Sequence, residues 1–274
     1  MSAGSAAQAP KRLTCPQLRA MKGATKIVAI TAYDAVSGKL VDPIADLVLV
    51  GDSLGPNVLG YDSTIPVTLD EMIAAGRAVS RGSQRALLVG DLPFGTYQAS
   101  PEDAVRSSAR FIKEAGMQAV KLEGGAERAN AIAAVVDAGI PVVAHIGLLP
   151  QSVHAMGGYR VQGKTEQGAR DLIEDARAVV AAGAFALVLE GIPDSVAAAI
   201  TSAVDIPTIG IGAGASCDGQ ILVFTDVMGL NFGHLPKFVR PYANLREVAA
   251  EGLVKYRDEV RNGSFPSSAE SYGG

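Results

Sequence analysis

Four acidic residues, a lysine and a serine stand where short apolar runs of the 274-residue chain end, and their spacing invites chemistry. Asp52 closes the run DLVLVG and is followed by Ser53; Asp91 closes RALLVGD; Lys121 and Glu123 sit two apart in AVKLEG; Glu190 closes FALVLE. If these runs are neighbouring strands, about 4.8 Å apart, then Asp52, Asp91 and Glu123 crowd three carboxylates into one place. Like charges raise each other's pKa, so such a trio calls for a cation. A hard divalent ion with oxygen ligands meets that need. Mg2+ is the natural choice, since it takes few carboxylates and keeps positions for water and substrate. Lys121 either neutralises the acids or binds an anionic substrate group. Ser53 follows Asp52 directly, so its hydroxyl and backbone N–H reach toward the same ligand. Glu190 has no cationic neighbour in sequence, and a desolvated carboxylate gains the raised pKa that suits a general base. The plain alternative for any one acid is a solvated strand end; three in register argue against it.

The elements that must position these residues repeat along the chain: an apolar run, a polar or glycine-rich tip, then a helical stretch. The runs cover 26–33, 46–51, 85–91, 119–124, 141–145, 185–190, 207–212 and 219–224. Helix starts are marked by Thr14 with Pro16, by Thr68 with Glu71, and by Ser100 with Pro101. Helix ends are marked by Gly116, Gly139 and Gly183. Eight strands alternating with helices predict an α/β fold, a (β/α)8 TIM barrel, in preference to an open doubly wound sheet. Residues 1–13 read as a flexible tail, 14–265 as a single barrel domain with an N-terminal helix, and 266–274 as a loose tail. An additional amphipathic helix over 244–261 is expected, capped by Asn244 with Glu247. Alternation predicts that Lys121 and Glu123 face the barrel interior together. It also joins Val48, Val50 and Asp52, then Leu87, Val89 and Asp91, then Ala186, Val188 and Glu190, into inward rows that each end in an acid.

Composition excludes several classes of function. Lys and Arg total 24 against 28 Asp and Glu, there is no Trp, and aromatic residues make up 5%. The chain therefore lacks both the basic footprint and the stacking platforms of a nucleic-acid binder. No apolar run approaches a membrane span, and the N-terminal stretch has no apolar secretion signal. The two cysteines, Cys15 and Cys217, suit a reducing cytoplasm better than a disulfide framework. GDSL within VGDSLG matches the nucleophile block of one class of esterases, but near His234 the acid of the required DxxH block is missing. GIGAGA (210–215) has dinucleotide-loop spacing, yet it leads to another strand and reads as a glycine turn at the pocket. His145 ends a strand and lines the pocket, while His154 and His234 read as loop residues.

The chain resembles the ketopantoate hydroxymethyltransferase family. The blocks TAYD (31–34), VGDSLG (50–55), YDSTIPVT (61–68), DLPFGTY (91–97), VKLEGG (120–125), AHIGLLPQSV (144–153), GGYRVQG (157–163), LVLEGIP (187–193), IGIGAG (209–214), CDGQILV (217–223) and PKFV (236–239) carry the likeness in order. The resemblance implies a (β/α)8 barrel, Mg2+ and a homodecamer built as a pentamer of dimers, and the cysteine usage places the chain in the cytoplasm. It implies metal-associated acids at Asp52, Asp91 and Glu123, substrate contacts at Asp52, Ser53, Asp91 and Lys121, and a proton acceptor at Glu190. The implied reaction transfers a hydroxymethyl group from 5,10-methylenetetrahydrofolate to 3-methyl-2-oxobutanoate, giving 2-dehydropantoate for pantothenate and coenzyme A synthesis. In it, Mg2+ chelated by the keto acid stabilises the enolate that Glu190 generates. Leu149 and His154 depart from the family's usual Thr and Asn, and the C-terminal tail lacks its usual His. A Mg2+-dependent carbon–carbon lyase for 2-oxo acids and a non-catalytic keto-acid binder are the rival readings.

Overall fold

The computed structural model describes residues 11–233 and 235–273. Eight parallel strands follow one another around a closed barrel: β1 (Ile27–Thr31), β2 (Leu47–Val50), β3 (Leu87–Asp91), β4 (Ala119–Glu123), β5 (Val142–Gly147), β6 (Ala186–Glu190), β7 (Thr208–Ile211) and β8 (Gly219–Leu222), with β8 pairing back to β1. This is the (β/α)8 barrel that the sequence predicts; seven strands fall inside the expected runs, and β5 continues to Gly147, two residues past the end expected at His145. The strands read as nearly continuous apolar runs because the barrel interior buries one face and the surrounding helices bury the other. Two compact units are distinguishable, one ending at Phe224 and one starting at Thr225, where the sequence reading has a single domain over 14–265.

The helices between the strands use the expected punctuation. At the start of helix Leu69–Gly82 the Thr68 hydroxyl accepts the Glu71 N–H, and the Glu71 carboxylate accepts the Thr68 N–H at 2.7 Å. Ser100 accepts the Asp103 N–H at 3.1 Å in front of helix Pro101–Arg110. Gly116, Gly139 and Gly183 all lie at positive φ where helical segments end.

The barrel interior is one cluster, with Leu18 of helix Cys15–Arg19 as a member and Leu13, Cys15 and Met21 packed against it. Its members Leu87 and Val89, Ala119, Ala186 and Val188 set the inward parity of β3, β4 and β6 as expected. In β2 the parity is opposite to the expectation. Leu47 and Leu49 belong to the interior, so Val48 and Val50 turn toward the helices. Asp52 therefore does not end an inward row. It is placed by a turn that starts once the strand has stopped: the Leu54 N–H donates to the Gly51 carbonyl at 3.0 Å and the Gly55 N–H to the Asp52 carbonyl at 2.9 Å.

Order at the N-terminal side begins before residue 14, where the sequence reading ends the flexible tail. Residues 1–10 lie outside the described residues, but Arg12 donates to the Ala86 carbonyl at 2.7 Å and to the Ser83 carbonyl at 2.5 Å, and the Leu13 N–H donates to the Arg85 carbonyl at 2.8 Å. That segment is organised by Asp42, only 9% exposed, which accepts from the Ser83 hydroxyl and from the N–H groups of Gln84, Arg85 and Ala86. Burial works to raise the Asp42 pKa, and these hydrogen bonds overcome it and hold the group below its usual value. Its stabilisation is therefore full above about pH 4 and is lost as the pH falls through the lowered folded pKa. Asp42→Ala strands three backbone donors and is expected to cost about 3 kcal/mol in urea denaturation at pH 7. A loss under about 0.5 kcal/mol would show that the cluster contributes little.

In the second unit, helix Leu245–Asn262 starts at the expected place, but Asn244 makes no side-chain capping bond. None of its residues is buried, and Val248, Leu253 and Tyr256 are exposed. Tyr256 meets Phe265 edge to face at 5.5 Å. Among the described residues no helix is long and apolar enough to cross a membrane.

Candidate active site

Strand register brings the predicted residues together. Lys121 of β4 is level with Asp91 of β3, and Glu123 of β4 is level with His145 of β5. All lie at the C-terminal ends of their strands, the face where barrels carry their chemistry. Asp52, Ser53, Asp91, Lys121, Glu123, His145 and Glu190 line one cavity of about 120 Å³, with Thr31, Leu49, Val188 and Ile211 among its walls. That volume suits a small acid and not a dinucleotide. β7 lines the cavity through its last residue, Ile211, and the glycine-containing loop after it runs directly into β8, as expected, without lining the cavity itself.

The contacts within the cavity are mainly electrostatic. Lys121 Nζ donates to Asp91 Oδ1 at 2.7 Å and lies 3.7 Å from Glu123 Oε1. The Asp52 N–H donates to Asp91 Oδ2 at 3.3 Å. His145, 2% exposed, stands between two carboxylates: Nδ1 is 3.5 Å from Glu123 Oε1 and Nε2 is 3.2 Å from Glu190 Oε2. Neither ring nitrogen is in a well-aligned hydrogen bond, so charge governs this contact. Glu190 thus has a cationic neighbour after all. The sequence hides it because His145 lies on the adjacent strand.

Burial and the positive charge of Lys121 disfavour a charged His145 ring, but Glu123 and Glu190 outweigh them and push its pKa up to about 9. Burial, then the charges of Asp91 and Glu123, push Asp52 well above the ordinary carboxylate range. Asp91 is also raised by burial, against the pull of Lys121. Glu123 is held low despite its burial, by His145, Lys121 and the Gln151 N–H. Four carboxylates face one ammonium and one imidazolium, an excess of negative charge with Asp52 as its least satisfied member.

That excess fits a hard cation. Among the described residues, however, no three acidic, His or Cys side chains close around one point as a ready-made metal cage. Lys121 occupies the space between Asp91 and Glu123 instead. The donor set that fits Mg2+ is the adjacent pair Asp52 and Asp91, since this ion binds through one or two carboxylates and otherwise holds water and substrate oxygens.

Ser53 Oγ pairs with the Tyr33 hydroxyl at 2.8 Å, and that hydroxyl accepts from Thr31 Oγ1 at 3.0 Å. Among the described residues no histidine is hydrogen-bonded to Ser53, and the triad partner that the esterase reading of GDSL requires is not seen there. His154 is exposed in a short helix, and His234 lies outside the described residues.

A family model described as ketopantoate hydroxymethyltransferase matches residues 12–268. The chain belongs to the ketopantoate hydroxymethyltransferase family. A 3-methyl-2-oxobutanoate hydroxymethyltransferase from Frankia alni is 54% identical over 244 residues, covering 89% of this chain and 80% of its own. One from Desulforapulum autotrophicum is 55% identical over 263 residues, covering 95% and 98%. Membership of this family makes the chain an enzyme of the hydroxymethyltransferase class. Among solved structures, phosphonopyruvate hydrolase matches with a TM-score of 0.60 at 15% identity over 95% of this chain and 92% of its own. A complex of that hydrolase with oxalate and Mg2+ matches with a TM-score of 0.59 at 16% identity, covering 94% and 93%. At such identity the likeness shows the barrel and nothing finer.

The sequence gives no role to two residues that the structure places in the acidic site. Gln151, from the loop after β5, donates through Nε2 to Asp52 Oδ2 at 2.9 Å, and its backbone N–H donates to Glu123 Oε2 at 3.0 Å. The Tyr97 hydroxyl, from the loop after β3, donates to Gln151 Oε1 at 2.7 Å and accepts the Glu123 N–H at 3.1 Å. The available signal is position alone: both follow strand ends at the catalytic face.

Proposed function

We propose that this chain transfers the one-carbon unit of 5,10-methylenetetrahydrofolate to C3 of 3-methyl-2-oxobutanoate, with water supplying the hydroxyl oxygen and tetrahydrofolate and 2-dehydropantoate as products. The observation that carries this reading is a single small cavity holding a carboxylate pair for a cation, a buried ammonium for an anion, and a further carboxylate, Glu190, set apart from both.

Asp52 and Asp91 would hold Mg2+, with Glu123 supporting its water shell. When bound, Mg2+ supplies Lewis acidity at the 2-oxo oxygen and so acidifies the C3 proton. Lys121 and the Ser53 hydroxyl bind the substrate carboxylate and so fix C3 beside Glu190. Glu190 Oε takes the C3 proton, and His145, held as a cation at 3.2 Å, orients that carboxylate. The electron pair left at C3 forms the new bond to the one-carbon unit as one of that carbon's two bonds to folate nitrogen breaks; the second breaks as water adds its oxygen there, and the proton taken from C3 and one from water end on the two freed nitrogens. The cavity admits only the reacting end of the folate, so the rest of that molecule lies outside the barrel mouth. A cytoplasmic place and a homodecamer built as a pentamer of dimers belong to the same reading, supported by the free cysteines and by apolar residues exposed on helix Ala35–Val41, Val36 and Leu40.

Incubating the protein with both substrates and Mg2+ is expected to yield 2-dehydropantoate by mass spectrometry, and EDTA is expected to stop it. Cleavage of the keto acid without folate would replace this reading with a lyase.

A further inference from the structure

We propose that Gln151 is a positioning residue that, together with Tyr97, locks Asp52 and Glu123 into one rigid carboxylate frame. This inference rests on the cation-binding reading of the site and adds to it the residues that set its geometry.

The Gln151 side chain is 3% exposed and uses its whole hydrogen-bonding capacity. Nε2 donates to Asp52 Oδ2 and to the Leu92 carbonyl, both at 2.9 Å, while Oε1 accepts from the Tyr97 hydroxyl at 2.7 Å and from Gln98 Nε2 at 3.1 Å. Its backbone N–H holds Glu123 Oε2, and Tyr97 holds the Glu123 backbone. An amide so saturated has one rotamer and one orientation, because flipping it would set Oε1 against a carboxylate and a carbonyl. Asp52 needs such a support. Asp91, Glu123 and Glu190 are the last residues of ladder strands, whereas Asp52 sits on a turn. Gln151 engages Oδ2 from behind, and among the described residues no hydrogen bond reaches Oδ1. The free oxygen is thus the one left for a ligand.

The test measures Mg2+ affinity by calorimetry, with kcat and KM, for the parent, Gln151→Leu, Tyr97→Phe and the double variant. Gln151→Leu is expected to weaken Mg2+ binding about 10- to 100-fold, as the loss of a group behind a metal ligand does. Saturating Mg2+ should then restore kcat to within about threefold, because the ligands themselves remain. Tyr97→Phe removes two hydrogen bonds, the one to Gln151 Oε1 and the one from the Glu123 N–H, and is expected to weaken binding about three- to tenfold. The double variant should bind no more weakly than Gln151→Leu, because the two residues act as one unit. Parental Mg2+ affinity in Gln151→Leu, or additive losses in the double variant, would overturn the proposal while leaving a transferase that binds Mg2+ intact. If Gln151→Leu does not fold, Tyr97→Phe decides, and unchanged affinity there overturns it. A parent protein that binds no Mg2+ would instead remove the functional reading, and this inference with it.

Discussion

Glu190→Gln is expected to slow exchange of the C3 hydrogen of 3-methyl-2-oxobutanoate at least about 100-fold, followed by NMR in D2O with Mg2+ and without folate. Leaving folate out isolates proton removal from carbon–carbon bond formation, so the loss is assignable to the base. The substitution keeps the shape of a side chain that is 17% exposed at the cavity wall, so the fold has little reason to change. It removes one of the two carboxylates beside His145, but Glu123 remains at 3.5 Å to hold the ring. Exchange at the parental rate would take Glu190 out of the base role. EDTA should stop exchange in the parent protein as well, since the C3 proton would then lack the activation that the cation supplies.

The second large effect is expected at Asp91. Asp91→Asn should weaken Mg2+ binding at least about 100-fold by calorimetry, because a ligand matters no less than the groups behind it. The same change leaves Lys121 buried with its closest counter-charge gone, which is destabilising by about 3–5 kcal/mol. Thermal denaturation must therefore accompany the titration, and Asp52→Asn supplies an independent arm, since Asp52 has no direct contact with Lys121 among the described residues. Folded variants of both residues that keep parental affinity would exclude the pair as the cation site.

Much of this arrangement is legible in the sequence, for a physical reason. The barrel buries both faces of most of its strands, β1 and β8 being exposed at Val28 and Gln220, so strands announce themselves as apolar runs, and a charge at the end of one stands out. Asp91, Lys121, Glu123 and Glu190 are found that way, and alternation aims them correctly. Asp52 is found by the same signal but for the wrong reason: in β2 the inward residues are Leu47 and Leu49, and a turn rather than the strand delivers the carboxylate. The place of His145 between Glu123 and Glu190 depends on the register of three strands, which no local pattern fixes. Gln151 and Tyr97 escape notice because a neutral amide and a phenol in loops carry no mark of function. Their partners are remote in the chain, Asp52 lying 99 residues from Gln151. The departures at Leu149 and His154 fall outside the acidic cluster. Leu149 precedes the short turn that carries Gln151, and His154 points to the exterior.

The turn that carries Asp52 gives the site unequal compliance. Three of its acids are fixed by the hydrogen-bond ladder of the barrel and can shift only if the sheet itself deforms. The fourth hangs from a bend behind Gly51 and is steadied by one amide from across the mouth. A substitution at that bend would therefore displace Asp52 while leaving the other three acids where the sheet holds them.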